Sequence, residues 1–258
     1  MIRTYSEEEI ALIRESSLLV GKTLAEMAKL IAPGITTLEL DRVAEAYIRS
    51  QGAIPACKGF EGFPFTLCVS VNEIVVHGFP SEYILEEGDI VSIDCVVLKN
   101  GFHGDSAYTF AVGQVAEPIR NLMEATKASL YQGIEQAKAG NRVGDIGCAV
   151  QTYVEKRGYG VVRELCGHGV GLEMHEQPDV LNYGRKGCGP KLIENMVIAI
   201  EPMITLGKRN IGIEENGWGI YTLDRKPAAH YEHELLIGKE KPDILSSFEE
   251  IEKILNNK

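Results

Sequence analysis

The sequence predicts an α+β fold in which helices pack on one face of a curved antiparallel sheet. Three observations carry that expectation: two pairs of amphipathic helical stretches, an Asn-Gly turn between long apolar runs, and short β-like runs crowded after residue 187. At 258 residues the chain can form one large or two small domains with an ample core.

Ser6 followed by Glu9 is a capping box, and Ile10, Ile13, Val20, Leu24, Met27 and Ile31 then recur at the spacing of one helix face. Pro33-Gly34 stops that helix. Thr36 with Glu39 opens a shorter one whose face carries Leu40, Val43, Ala44, Tyr47 and Ile48, with Gly52 at its end. The pattern is β-like from there to about residue 112, and includes Ile90–Leu98, Asn100-Gly101 and a return strand from Phe102 to Val112. Pro118 sits at a plausible first helical position for a third helix, which is expected to end at Ala139-Gly140. A fourth, bearing Ile146, Val150, Tyr153 and Val154, closes at Gly158. Strands are expected over 196–200, 219–223 and 230–237, and the charged tail from Lys239 as a short surface helix.

Shifting the first half by 106 positions lays Gly34 on Gly140, Leu40 on Ile146, Tyr47 on Tyr153 and Gly52 on Gly158. That periodicity suggests two similar halves, about 5–115 and 116–240, within a single catalytic domain, followed by a tail at 241–258. No linker divides the chain.

A composition of 45% hydrophobic and 24% charged residues is that of an ordinary globular protein. With 26 basic against 37 acidic side chains, a net charge of −11 and no Lys/Arg run, nucleic-acid recognition is excluded as a function class. No stretch approaches the roughly 20 apolar residues of a membrane span, and the acidic N-terminus does not resemble a signal peptide. Six scattered cysteines without a Cys-x-x-Cys pair fit free thiols in a reducing compartment, so the expected location is cytoplasmic.

The hairpin around Asn100-Gly101 carries the chemistry. If those two residues form its loop, cross-strand partners have numbers summing to 201, which sets Asp94 opposite Ala107 and Asp105 opposite Val96. Both carboxylates then lie on one face as diagonal neighbours, within roughly 7–8 Å. Two like charges on a largely apolar face require a cation or a proton. Read blandly, Asp105 is a solvated turn residue and Asp94 a strand-edge acid. Glu201 ends the apolar run Met196–Ile200 ahead of Pro202, and Glu232 precedes Leu235-Leu236-Ile237, although His233 and Glu234 beside it also suit a polar strand end. His168 stands in the loop-like Cys166-Gly167-His168-Gly169-Val170-Gly171, where glycines let backbone approach an imidazole closely. One histidine with four carboxylates is an oxygen-rich set suited to Mn²⁺, Fe²⁺, Co²⁺ or Zn²⁺ in a two-metal site. His175-Glu176 continues as Gln177-Pro178, so the His-Glu-x-x-His zinc motif is absent, as are phosphate-cradling and dinucleotide-binding glycine patterns.

His77-Gly78-Phe79-Pro80, Asp94 with Asp105, Gly167–Gly171 with His175-Glu176, Ile200-Glu201-Pro202 and Tyr231-Glu232-His233 resemble, in order and spacing, the motifs of type I methionine aminopeptidases of peptidase family M24. The likeness runs from about residue 5 to 240. It implies the pita-bread fold, two pseudo-symmetric halves around a curved sheet, with two divalent ions held by Asp94, Asp105, His168, Glu201 and Glu232, of which Asp105 and Glu232 bridge. It further implies hydrolytic removal of N-terminal methionine from nascent chains, with a small second residue preferred. Glu201 becomes the proton shuttle, His175 an oxyanion donor, and His77 a contact to the substrate beyond the scissile bond. Cys57, Phe60, Phe63, Cys68 and Trp218 match the residues of the methionine pocket. Phe60 and Phe63 stand where many relatives have tyrosine, and Met174 where an aromatic is common. Without the resemblance, Phe60 and Phe63 read as core and His77 as the end of a strand over 69–76.

The chain begins almost directly at its first helix, as in the compact bacterial-like form, which is expected to act as a monomer in the cytoplasm with transient ribosome contact. Three other readings compete: a proline-directed aminopeptidase of the same fold, which would carry an additional N-terminal domain, a non-catalytic peptide-binding relative, which would have lost ligands, and a metal-free creatinase-like hydrolase, which would lack several of the carboxylates.

Overall fold

The computed structural model describes residues 2–257. Among them the chain forms five α-helices, α1 (Glu7–Leu30), α2 (Thr37–Ser50), α3 (Glu117–Ile134), α4 (Val143–Glu155) and α5 (Glu249–Leu255). The strands of the first half are β1 (Ile54–Pro55), β2 (Leu67–Val71), β3 (Ile74–Val76), β4 (Ile90–Lys99) and β5 (Phe102–Ala111). Further along come β6 (Gly160–Val161), β7 (Gly167–Gly169), β8 (Glu176–Val180), β9 (Val197–Ile200) and β10 (Met203–Thr205). The last are β11 (Ile211–Ile213), β12 (Ile220–Thr222), β13 (Ala228–His230), β14 (His233–Leu236) and β15 (Asp243–Ile244). The fold is α+β, with antiparallel pairing throughout the sheets.

Both N-terminal helices begin where the sequence places them. Ser6 and Glu9 complete a reciprocal capping box, and Thr36 accepts the Glu39 N–H. Helices α2 and α4 begin at residues 37 and 143, a spacing of 106. Helix α3 stops at Ile134, ahead of the expected Ala139-Gly140. The difference is tertiary: the Ala139 N–H bonds the Gly238 carbonyl and Lys138 bridges to Gly238, so the β-region captures these residues. In the tail, α5 is not merely superficial, because Phe248 and Ile251 are buried in the main core.

The β4–β5 hairpin turns at Asn100 (φ 53°) and Gly101 (φ 83°), the left-handed pair that a tight hairpin requires. Its register pairs Asp94 with Ala107 and Val96 with Asp105, as read from the sequence. Helix α1 lies so close on β5 that a Cβ at Gly104 would collide with the backbone of Ser16 and Ser17. The run 230–237, expected as one strand, is split into β13 and β14 around Tyr231-Glu232. Its partner is split in the same way, into β9 and β10, around Glu201-Pro202. Ile200 still pairs with His233 and Met203 with His230, one continuous register that sets Glu201 opposite Glu232. Pro202 has no N–H, so the ladder cannot pass through that point.

A seam then joins β5 to 230–234. The Glu232 N–H donates to Ala107 O (3.0 Å), Ser106 Oγ to Glu232 O (2.7 Å) and Thr109 Oγ1 to His230 O (2.7 Å). Through this seam the Asp105 strand and the Glu232 segment meet side by side.

Candidate active site

Asp94 lies in the middle of β4 between Cys68 of β2 and Ala107 of β5. Asp105 and Glu232 are buried on either side of the seam. Contrary to the bland readings, Asp105 is no turn residue and Glu232 no solvated strand end: His233 and Glu234 beside it are buried as well. His168 also departs from expectation, since it sits not in a loop but in β7, between β8 and β9. Its flanking glycines are what permit this. A Cβ at Gly167 would collide with Ala199 O, and one at Gly169 would come within 2.6 Å of Gln177 O. His77 follows β3 at φ 57°, a left-handed conformation that costs a non-glycine residue energy and is characteristic of functional positions. Here 69–76 is two strands, β2 and β3, joined by a turn at Asn72.

All twelve residues singled out from the sequence line one cavity of about 190 Å³. One end is acidic: Asp94, Asp105, Glu201 and Glu232, with His168. His168 Nε2 lies 3.7 Å from Asp105 Oδ2 and 3.6 Å from Glu201 Oε1, while its Nδ1 faces Gly169 O at 3.0 Å. The other end is apolar and soft. Phe63 meets Trp218 edge to face at 5.1 Å, Phe60 meets His175 at 5.3 Å, and Cys57, Cys68 and Met174 complete the wall. His175 joins the two ends, its ring 4.4 Å from that of His168. A second cavity of about 430 Å³ opens from His77, His168, His175 and Glu201 toward Cys166, Gln177 and Met203.

The electrostatics of the acidic end are unfavourable without a cation. Burial pushes the Asp94 carboxyl up to about 7. Burial, then the neighbouring acids, push Asp105, Glu201 and Glu232 well above the usual carboxylate range. Burial likewise lowers His168 to about 3 and His77 to about 4, so both imidazoles are neutral near pH 7. Asp94 Oδ1, Asp105 Oδ1 and Glu232 Oε1 are buried without a hydrogen-bond partner. Ligand atoms of Asp105, His168 and Glu232 all lie within 4.8 Å of one another. Neutral imidazole and converging, unpartnered carboxylate oxygens are the donor set that a divalent ion takes. The residues present therefore fit the metal.

Two buried groups beside the site were not found from the sequence. His230 lies with Nε2 3.6 Å from Glu201 Oε2. Glu234 accepts the Asp105 N–H through Oε2 at 2.8 Å, and burial pushes it up to about 8. Both belong to the polar run around Glu232, whose burial only the seam decides.

Fold and cavity together are those of a metal-dependent hydrolase, with buried carboxylates and an imidazole suited to divalent cations. The profile of metallopeptidase family M24 matches residues 11–239. The chain is 47% identical over 247 residues to the methionine aminopeptidase of Clostridium acetobutylicum, covering 95% of this chain and 99% of that one. The crystal structure of methionine aminopeptidase from Rickettsia prowazekii superposes with a TM-score of 0.94 at 37% identity, over 96% of this chain and 100% of that one. An X-Pro aminopeptidase structure from Thermotoga maritima shares the fold alone, with TM-score 0.75 and 21% identity, over 95% of this chain and 62% of its own. The chain belongs to metallopeptidase family M24, among the methionine aminopeptidases.

Proposed function

We infer that the chain is a metal-dependent aminopeptidase that releases the N-terminal methionine of peptides and nascent proteins. The observation that carries this reading is one cavity with a carboxylate–imidazole floor and an aromatic, thiol-lined end. Proline-directed cleavage is disfavoured, because the X-Pro aminopeptidase is similar in fold only.

In this reading Asp94, Asp105, His168, Glu201 and Glu232 would hold the two divalent ions. When bound, such ions supply Lewis acidity toward a carbonyl and make water acidic enough to act as a nucleophile near neutral pH. Glu201 accepts the proton of the attacking water at a carboxylate oxygen and returns it to the leaving amide nitrogen. His175, between floor and pocket, donates a hydrogen bond to the oxygen of the scissile carbonyl as it gains charge. His77, lining both cavities, contacts the peptide beyond the scissile bond. Cys57, Phe60, Phe63, Cys68 and Trp218 receive the thioether, which favours aromatic edges and polarizable sulfur. A small second residue is preferred, as the resemblance implies. We further propose that the chain is a single catalytic domain of two related halves. It acts as a cytoplasmic monomer, with transient contact to the ribosome.

The test is turnover of Met-Gly-Met-Met, Leu-Gly-Met-Met and Ala-Pro-Gly by protein stripped of metal and reloaded with Mn²⁺, Fe²⁺, Co²⁺ or Zn²⁺. Metal-dependent release of methionine alone, lost in Asp105→Asn, is expected. Cleavage of the proline peptide instead, or silence with every metal, overturns the assignment.

A further inference from the structure

The wall that carries Met174 and His175 is held from outside the cavity by the N-terminal segment. Tyr5 is 3% exposed, its ring set edge to face against Phe102 at 6.2 Å and its N–H bonded to Asn195 O at 2.9 Å. The hydroxyl of Tyr5 donates to Glu176 Oε1 (2.7 Å) and accepts the Leu172 N–H (3.0 Å). Glu176 Oε1 also accepts the Glu173 N–H at 3.0 Å, and Arg3 Nε stands 3.4 Å from its other oxygen. From the opposite side the His103 N–H donates to Gly171 O at 2.7 Å. Gly171, at φ 147°, is pressed against the Tyr5 ring so closely that a Cβ there would collide with it. Residues 171, 172, 173 and 176 are thus each fixed, and the two left between them are Met174 and His175, both facing the cavity.

We propose that Tyr5 is a positioning residue for His175, its hydroxyl tying the 171–176 wall to the N-terminal segment so that the imidazole is held in place for the reacting carbonyl. This rests on the reading of His175 as donor to that carbonyl. The argument is geometric. One phenol oxygen satisfies two groups that flank His175 on either side, and the carboxylate it meets belongs to the very next residue. Among the described residues no other hydroxyl bonds Glu176, so removing this oxygen frees the Leu172 amide and one carboxylate contact together while leaving the ring packing intact. A catalytic group released by even a fraction of an ångström loses rate out of proportion to the stability lost.

The experiment uses the full chain loaded with Mn²⁺ and Met-Gly-Met-Met as substrate, with Tyr5→Phe, His175→Ala and the double variant. Tyr5→Phe is expected to lower kcat about tenfold, with KM and bound metal close to wild type, because the interaction lost acts in the transition state. Added to His175→Ala it is expected to cause no further loss, since the two act through one group. Glu176→Gln, which keeps an oxygen for both the Tyr5 hydroxyl and the Glu173 amide, is expected to retain most of the kcat that Glu176→Ala loses. Wild-type kcat in Tyr5→Phe overturns the proposal. So does a Tyr5→Phe loss that persists undiminished in the His175→Ala background, which would mark a structural effect only. Normal turnover by His175→Ala overturns the reading of His175 itself, and this inference with it.

Discussion

Asp105 carries one buried oxygen without a hydrogen-bond partner and has the acids Asp94, Glu201 and Glu234 as neighbours, so in the absence of a cation a charge there is a liability. Asp105→Asn removes a member of that repelling set. It is expected to raise the melting temperature of the chelated protein and to abolish the further rise that Mn²⁺ gives the wild type. A melting temperature below that of wild type in chelator would contradict this account. The pH dependence has a definite sign. Asp94 is raised from 3.8 to about 7 in the folded chain, so the proton is bound more tightly by the native state. The resulting stability is present in full below about pH 4 and is lost as pH rises through about 7. Chelated protein should accordingly melt at lower temperature at pH 8 than at pH 5 with respect to this group, and Asp94→Asn should flatten that slope in a scanning-fluorimetry series. Asp94 and Asp105 were legible in the sequence because a two-residue turn fixes every cross-strand pair after it. His230 and Glu234 were not, because nothing local distinguishes a polar strand end facing solvent from one sealed by a seam 125 residues away in the chain, the separation of Thr109-His230 and Asp105-Glu234 being 121 and 129.

At the level of elements, two glycines of the β4–β5 hairpin separate backbone conformation from close packing. Gly101 needs φ 83° but has open space around its Cβ position, so Gly101→Ala should cost about 1 kcal/mol through strain alone. Gly104 has no such φ, yet the α1 backbone at Ser16 and Ser17 occupies the space a methyl would need. Gly104→Ala must push α1 off the sheet, and should cost more than Gly101→Ala, about 3 kcal/mol. Urea midpoints of the two variants measure the difference, and equal costs would mean that α1 can shift freely. The same contrast explains what could be read in advance. Helices α1 and α2 announced themselves through caps and long periodic faces, and the hairpin through Asn-Gly. Strands β7, β10 and β11 span three residues each, too short to display a period of two, and β7 is Gly-His-Gly, a composition with little β preference. They exist because a neighbouring strand pairs with them.

For the whole molecule, the candidate ligands come from both sides of the β5 seam. Asp94 and Asp105 belong to the first hairpin, His168 to β7, and Glu201 and Glu232 to the breaks between β9 and β10 and between β13 and β14, all of which follow α4. Ions bound by this set would tie the two sides together, in addition to the hydrogen bonds from Glu232 to Ala107, Ser106 to Glu232 and Asp105 to Glu234. A ligand that binds only the folded state stabilises it by mass action, about 2.7 kcal/mol at a free concentration 100 times its Kd. Because the candidate ligands lie at the seam and not on the helices, removing ions bound there should loosen the molecule unevenly. In hydrogen exchange, the amides of Asp105 and Glu232 should lose protection on chelation and regain it with Mn²⁺, whereas the interiors of α3 and α4 change little. Uniform loss across both helices and seam would show that the ions stabilise only the global fold. No change at the seam would show that the hydrogen bonds hold the two sides together without them.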